Sequence, residues 1–168
     1  MRTHIRNLVY AAILAALYVV LTTWQNFILP GSATWAIQMR LSEALSVLAF
    51  FTPAAAPGLA VGCLLFNLNY AAALPLDAVV GTLATWLACK AMWLTRNIRF
   101  LGLPLPGLLM PALTNAIFVG WELTIYIGGG FWINALYVAL GEAAVLLIPG
   151  SLLYLAMTKR GLDQKLFG

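Results

Sequence analysis

Apolar runs of membrane-spanning length follow one another through almost the whole chain, and acidic residues lie inside several of them. The sequence is 63% hydrophobic and only 8% charged over 168 residues, with a mean hydropathy of +0.95. Such a chain is too apolar for a water-soluble domain. Its length suits about six spans of roughly 20 residues with short connections. The expected fold is an all-α membrane protein, a six-helix bundle forming a single transmembrane domain over residues 1–168.

Loop signals divide the runs. The first helix is expected from Leu8 to Trp24. Arg2 and Arg6 ahead of it imitate a secretory leader, but no small-residue cleavage site follows, so it reads as a retained span. A polar Gly- and Pro-containing segment covers Gln25 to Ala36. A second, short helix starts near Gln38 or Arg40 and ends before Pro53, tilted or in a thinned bilayer. A third covers Pro57–Leu68, a fourth Asp77–Thr95, a fifth Gly107–Ile127 and a sixth Trp132–Met157, with a kink at Pro149. The tail Lys159–Gly168 is polar.

Charge sets the orientation. Eight of the nine basic residues, all but Arg40, fall at or near the side that holds both termini. This positive-inside bias makes both termini cytoplasmic. Trp24, Trp121 and Trp132 mark the outer interface and Trp93 the inner one.

A carboxylate in hydrocarbon costs roughly 2.5–3.5 kcal/mol on insertion scales, so an acid within a span faces a cavity or a partner. Glu43, Asp77, Glu122 and Glu142 all fall in the outer half under this layout. Glu142 is the deepest, about 15 Å down at 1.5 Å per residue. Asn115 and Glu122 are seven residues apart and share a helix face. Asn134 and Glu142 differ by about 80° of helix rotation, close enough to line one cavity. Gln38 and Arg40 stand at the expected pocket mouth, and Asn67 at the outer end of the third helix. Each has a plainer reading. Arg40 and Glu43, at i,i+3, can pair with each other. Asp77 can cap its helix. Asn67 and Asn69 can be loop residues, and the amides can serve as interhelical contacts.

Carboxylates accept hydrogen bonds, so they favour a cation or a donor-rich heterocycle. A guanine-like edge offers adjacent N–H groups that one carboxylate bridges. Trp35, Trp86, Trp121 and Tyr137 are available to stack on a ring. Ala12 and Ala16 are spaced by four, as are Gly58 and Gly62; such small-residue faces serve either internal packing or docking of another membrane subunit. Cys63 and Cys89 read as packing thiols. His4, near the N-terminus, is the single histidine, so no metal-ligand spacing arises. The dispersed basic residues form no nucleic-acid stripe. The sequence contains no phosphate-binding loop, zincin or nucleophile-elbow motif. The chain is therefore expected to be no enzyme, to need no cofactor, and to draw any pumping energy from ions or partners.

The run Gln38-Met-Arg-Leu-Ser-Glu-Ala-Leu45 resembles the hallmark of QueT-type proteins. Gly58-Leu-Ala-Val-Gly-Cys63 with Asn67, Leu76-Asp-Ala-Val-Val-Gly81, Asn115-Ala-Ile-Phe-Val-Gly120 and Gly141-Glu-Ala143 continue the likeness in order. These are substrate-binding S components of energy-coupling factor (ECF) transporters, assigned to queuosine precursors. The resemblance implies a six-helix S component in a prokaryotic plasma membrane. It would work with a transmembrane coupling subunit and two ATPase subunits, which alone use ATP. Ala12 and Ala16, in a stretch similar to the S-component docking motif, would meet the coupling subunit. The implied ligand is a 7-deazaguanine, such as 7-aminomethyl- or 7-cyano-7-deazaguanine. Two other readings stay open: an S component for another vitamin or amine, and a stand-alone proton-coupled transporter with Glu142 as proton carrier.

Overall fold

The computed structural model describes residues 2–32, 37, 39–70, 73–100 and 102–167. Gln38 and Trp35 lie outside the described residues. The described residues are mostly helical, in the order α1 (Arg2–Ile28), a 3-10 helix (Leu41–Phe50), α2 (Ala55–Asn69), α3 (Asp77–Thr95), α4 (Leu105–Leu108), α5 (Met110–Tyr126), α6 (Phe131–Val145), a π-turn (Leu146–Gly150), α7 (Ser151–Lys159) and α8 (Leu162–Phe167). Four stretches are long and apolar enough to cross a membrane: Thr3–Ile28, Asp77–Thr95, Leu105–Tyr126 and Phe131–Lys159. The 3-10 helix and α2 are shorter apolar helices.

The expected boundaries of the fourth helix, Asp77–Thr95, match those observed. Elsewhere the details differ for physical reasons. The first helix runs further at both ends, to Arg2 and Ile28, because nothing between Arg2 and Ile28 breaks a helix. The second is a 3-10 helix, which rises about 2.0 Å per residue. Its ten residues therefore reach about 20 Å, where an α-helix would reach about 15 Å. The fifth is preceded by the short turn α4, each piece carrying a proline in its first turn, where the missing N–H is not needed. Pro149 does not simply bend the sixth helix. It sits inside the π-turn that joins α6 to α7, the wider turn accommodating a residue that cannot donate to the ladder. The polar tail is partly helical. It holds α8, whose Phe167 ring meets Tyr10 of α1 edge-on at 5.2 Å, and the Tyr10 hydroxyl donates to the Leu166 carbonyl.

Close approaches between helices rest on glycine. A Cβ at Gly58 would stand 2.6 Å from the Ala11 carbonyl oxygen. One at Gly62 would stand 2.9 Å from that of Ala15. Gly58 and Gly62 thus pack α2 on the Ala11/Ala15 face of α1, in the manner of small-residue membrane interfaces. Between α5 and α6 the chain turns through Gly128 (φ 84°) and Gly129 (φ 79°), left-handed conformations that a side chain resists.

The interior is divided along the 3-10 helix. With three residues per turn, every third side chain eclipses the last. Glu43, Ser46 and Ala49 therefore fall in one row, with Arg40 at the N-cap just ahead of it, and all four are buried. The row is polar at the Arg40 end and apolar at the other. At the apolar end Phe50 and Phe51 pack on Tyr154 of α7, at ring separations of 5.7 and 5.6 Å. Leu59, Met92, Leu108 and Leu146 join the same core.

Candidate ligand site at the polar end of the bundle

All four acids singled out in the sequence point inward. Glu122 and Glu142 are 0% exposed, and Glu43 and Asp77 2%. Arg40, Asn67, Asn115 and Asn134 are buried as well. Glu43 comes from the 3-10 row and Arg40 from the N-cap ahead of it, Asn67 from α2, Asp77 from the start of α3, Asn115 and Glu122 from α5, and Glu142 from α6.

Arg40 is the hub. Its guanidinium lies within electrostatic reach of Glu43 and Asp77, of Glu122 and of Glu142. It is the one buried cation among the described residues, against four buried acids. Arg40 Nη1 is 3.8 Å from the Cys63 sulfur, so this thiol borders the polar site; Cys63 and Cys89 are both free and buried. Gly81 opens the space that Arg40 and Asn67 occupy. A Cβ there would meet Asn67 Nδ2 at 3.0 Å and Arg40 Nη1 at 3.8 Å.

The remaining polar atoms divide into engaged and unengaged groups. Asp77 Oδ2 accepts the Leu74 backbone N–H at 2.7 Å, tying the turn that precedes α3 without capping a helix N–H. The Asp77 carbonyl accepts from Asn67 Nδ2 at 2.8 Å. Asn134 is engaged at the turn between α5 and α6. Its amide donates to the Gly128 carbonyl at 3.0 Å and to Thr124 Oγ1 at 3.1 Å, pinning the glycine turn. Asn69 donates to Leu65 within its own helix. In contrast, neither oxygen of Glu122 and neither of Glu142 has a hydrogen-bond partner among the described residues, nor does Asn67 Oδ1. Asp77 lies beside Glu122 and Asn115 beside Glu142, both short of hydrogen-bond geometry. Ser46 and Thr85 add buried, unpartnered hydroxyls.

Three groups in this region were not apparent from sequence. Tyr18 of α1 donates to Glu43 Oε1 at 2.7 Å, although a tyrosine in an apolar helix gives no pairing signal. Ser46 is separable from other serines only by the 3-10 period, and Thr85 only by its position facing the cluster. The proposed stacking rings go the other way: Trp86, Trp121 and Tyr137 are 41–50% exposed and turned outward. A cleft of about 600 Å³ lies elsewhere, between α1 and α2 and lined by Val19, Thr23, Phe27, Leu65, Phe66 and Tyr70. The acids are closed off from the surface.

Ala12 and Ala16 are exposed on α1, together with Ile13, Val20 and Trp24. The packed face of α1 is the adjacent stripe of Ala11 and Ala15.

Buried carboxylates without donors are costly to leave unmatched. A set of them converging from several helices can hold a cation or a ligand rich in N–H groups. No group of three His, Cys, Asp or Glu side chains among the described residues could hold a metal ion. The fold thus defines a helical protein with four stretches fit to cross a membrane, packed around buried acids. The chain matches the model of the QueT transporter family over residues 8–159 and belongs to that family, whose members are transporters and not enzymes. No curated protein and no solved structure matches it.

Proposed function

We propose that this transporter is the substrate-binding S component of an ECF importer. It captures a queuosine precursor, a 7-deazaguanine such as the 7-aminomethyl or 7-cyano form, from outside the cell. The reading rests on one observation above all: among the described residues, the four oxygens of Glu122 and Glu142 are buried with no hydrogen-bond partner, and one buried guanidinium stands among four buried acids. A deazaguanine supplies adjacent N–H donors for one carboxylate, and an aminomethyl group supplies a cation for another. Glu43, Asp77, Asn67 and Asn115 complete the proposed lining with Arg40 and Gln38, and Asn134 steadies its outer edge.

Six crossings follow if the 3-10 helix and α2 also span a locally thinned bilayer. Both termini are then cytoplasmic, as the distribution of basic residues requires. Uptake against a gradient needs energy that this chain has no motif to supply. A coupling subunit, meeting the exposed Ala12/Ala16 stripe of α1, and two ATPase subunits would provide it. The membrane is the plasma membrane of a prokaryote.

A second reading is favoured by Glu142 itself. An unpartnered acid deep in a bundle also suits a proton carrier, which would make the chain a stand-alone secondary transporter. Proteoliposomes separate the two. ATP-dependent uptake of labelled 7-aminomethyl-7-deazaguanine, only with the partner subunits present, is the expected result. Uptake by the chain alone, driven by a pH gradient, would establish the second reading. Tight binding of a different vitamin or amine with no deazaguanine binding would keep the class and change the ligand.

A further inference from the structure

Tyr18 lies near the middle of α1 and is 0% exposed. Gly62 makes room for it, since a Cβ at Gly62 would approach Tyr18 Cβ to 2.7 Å. Its hydroxyl donates to Glu43 Oε1 at 2.7 Å, wholly within the interior. The same face of α1 continues the contact. One turn on, Thr22 Oγ1 is 2.7 Å from Ser42 Oγ. Three residues further, Gln25 Oε1 accepts the Leu41 backbone N–H at 2.6 Å, and its amide donates to the Met39 carbonyl. Positions 18, 22 and 25 follow the helical repeat, so α1 is joined by three successive polar steps to residues 39–43, which carry Arg40 and Glu43. The face of α1 bearing Ala12 and Ala16 points outward.

We propose that Tyr18 is a positioning residue of the ligand site, holding the Glu43 carboxylate in one orientation and tying the register of α1 to that of the site. The inference rests on the substrate-site reading of Glu43. A glutamate has several rotatable bonds, and one already fixed loses less entropy when ligand binds. A hydroxyl that donates to a carboxylate makes a charge-assisted bond, strong enough to select one rotamer. Thr22 and Gln25 hold the segment; Tyr18 touches the acid itself. Any displacement of α1 by a partner on its outward face is therefore transmitted to Glu43.

The test is a double-mutant cycle on the full chain: wild type, Tyr18→Phe, Glu43→Gln, and both together. The phenylalanine keeps the ring and its packing. Affinity for 7-aminomethyl-7-deazaguanine and ligand-free thermal melting are measured for all four. Tyr18→Phe is expected to weaken binding about tenfold when Glu43 is present, and by less than about twofold in the Glu43→Gln background. Equal losses in both backgrounds, or no loss with Glu43 present, would overturn the positioning role. If the wild type binds no deazaguanine, the substrate reading fails by itself. The melting cycle then decides the tie between Tyr18 and Glu43, as it also does if Glu43→Gln abolishes measurable binding. Non-additive losses uphold the tie, and additive ones reject it.

Discussion

Glu122 and Glu142 carry their charge, or the proton that replaces it, where water does not reach. A buried carboxylate with no donor is a liability for folding and an asset for binding, because a ligand that supplies the donors regains what desolvation cost. Function and stability should therefore separate at these positions. Glu122→Gln and Glu142→Gln are each expected to weaken ligand binding about tenfold or more, the scale of a hydrogen bond to a charged group. The ligand-free melting temperature should hold or rise, because the amide carries no charge to desolvate. Asp163 on α8, the fifth acid of the chain, gives the control: Asp163→Asn should change neither quantity. Calorimetry and melting in detergent check all three variants.

At the scale of the elements, the bundle is set by how closely backbones approach. Gly58 faces the Ala11 backbone, which cannot rotate away as a side chain can. Gly58→Ala is expected to lower stability by about 1–3 kcal/mol, the usual cost of overpacking, read as a lower melting temperature. The same contact shows where sequence reading reaches its limit. Residues 11, 12, 15 and 16 are all alanine, giving two adjacent small-residue stripes of identical spacing. Only tertiary packing decides that Ala11 and Ala15 meet α2 while Ala12 and Ala16 stay exposed. The inward aim of the four acids was legible, because an acid within an apolar run has few alternatives to the interior. So was Asp77–Thr95, bounded by a turn with Pro75 and by Arg96. The 3-10 winding of Leu41–Phe50 was not, since its apolar content suits either helix. Nor was the π-turn around Pro149, where sequence gives the breaker and not the way the backbone absorbs it.

At the scale of the molecule, one end of the bundle gathers charge and the other gathers aromatic and aliphatic side chains around Phe50 and Tyr154. The long outward face of α1 is exposed among the described residues, and it is where the proposed coupling subunit would sit. Ala12→Trp should therefore leave the melting temperature and ligand affinity of the isolated chain unchanged and abolish co-purification with coupling and ATPase subunits. Normal assembly of that variant would remove the docking role from this face. The ligand site is tested most directly by calorimetric titration of 7-aminomethyl-7-deazaguanine into the purified wild-type chain and into the Glu122→Gln/Glu142→Gln double variant. Saturable one-to-one binding by the wild type, lost in the folded double variant, is the expected result. Undiminished binding by the double variant, or no binding of any deazaguanine by the wild type, would contradict a ligand site built on these buried acids.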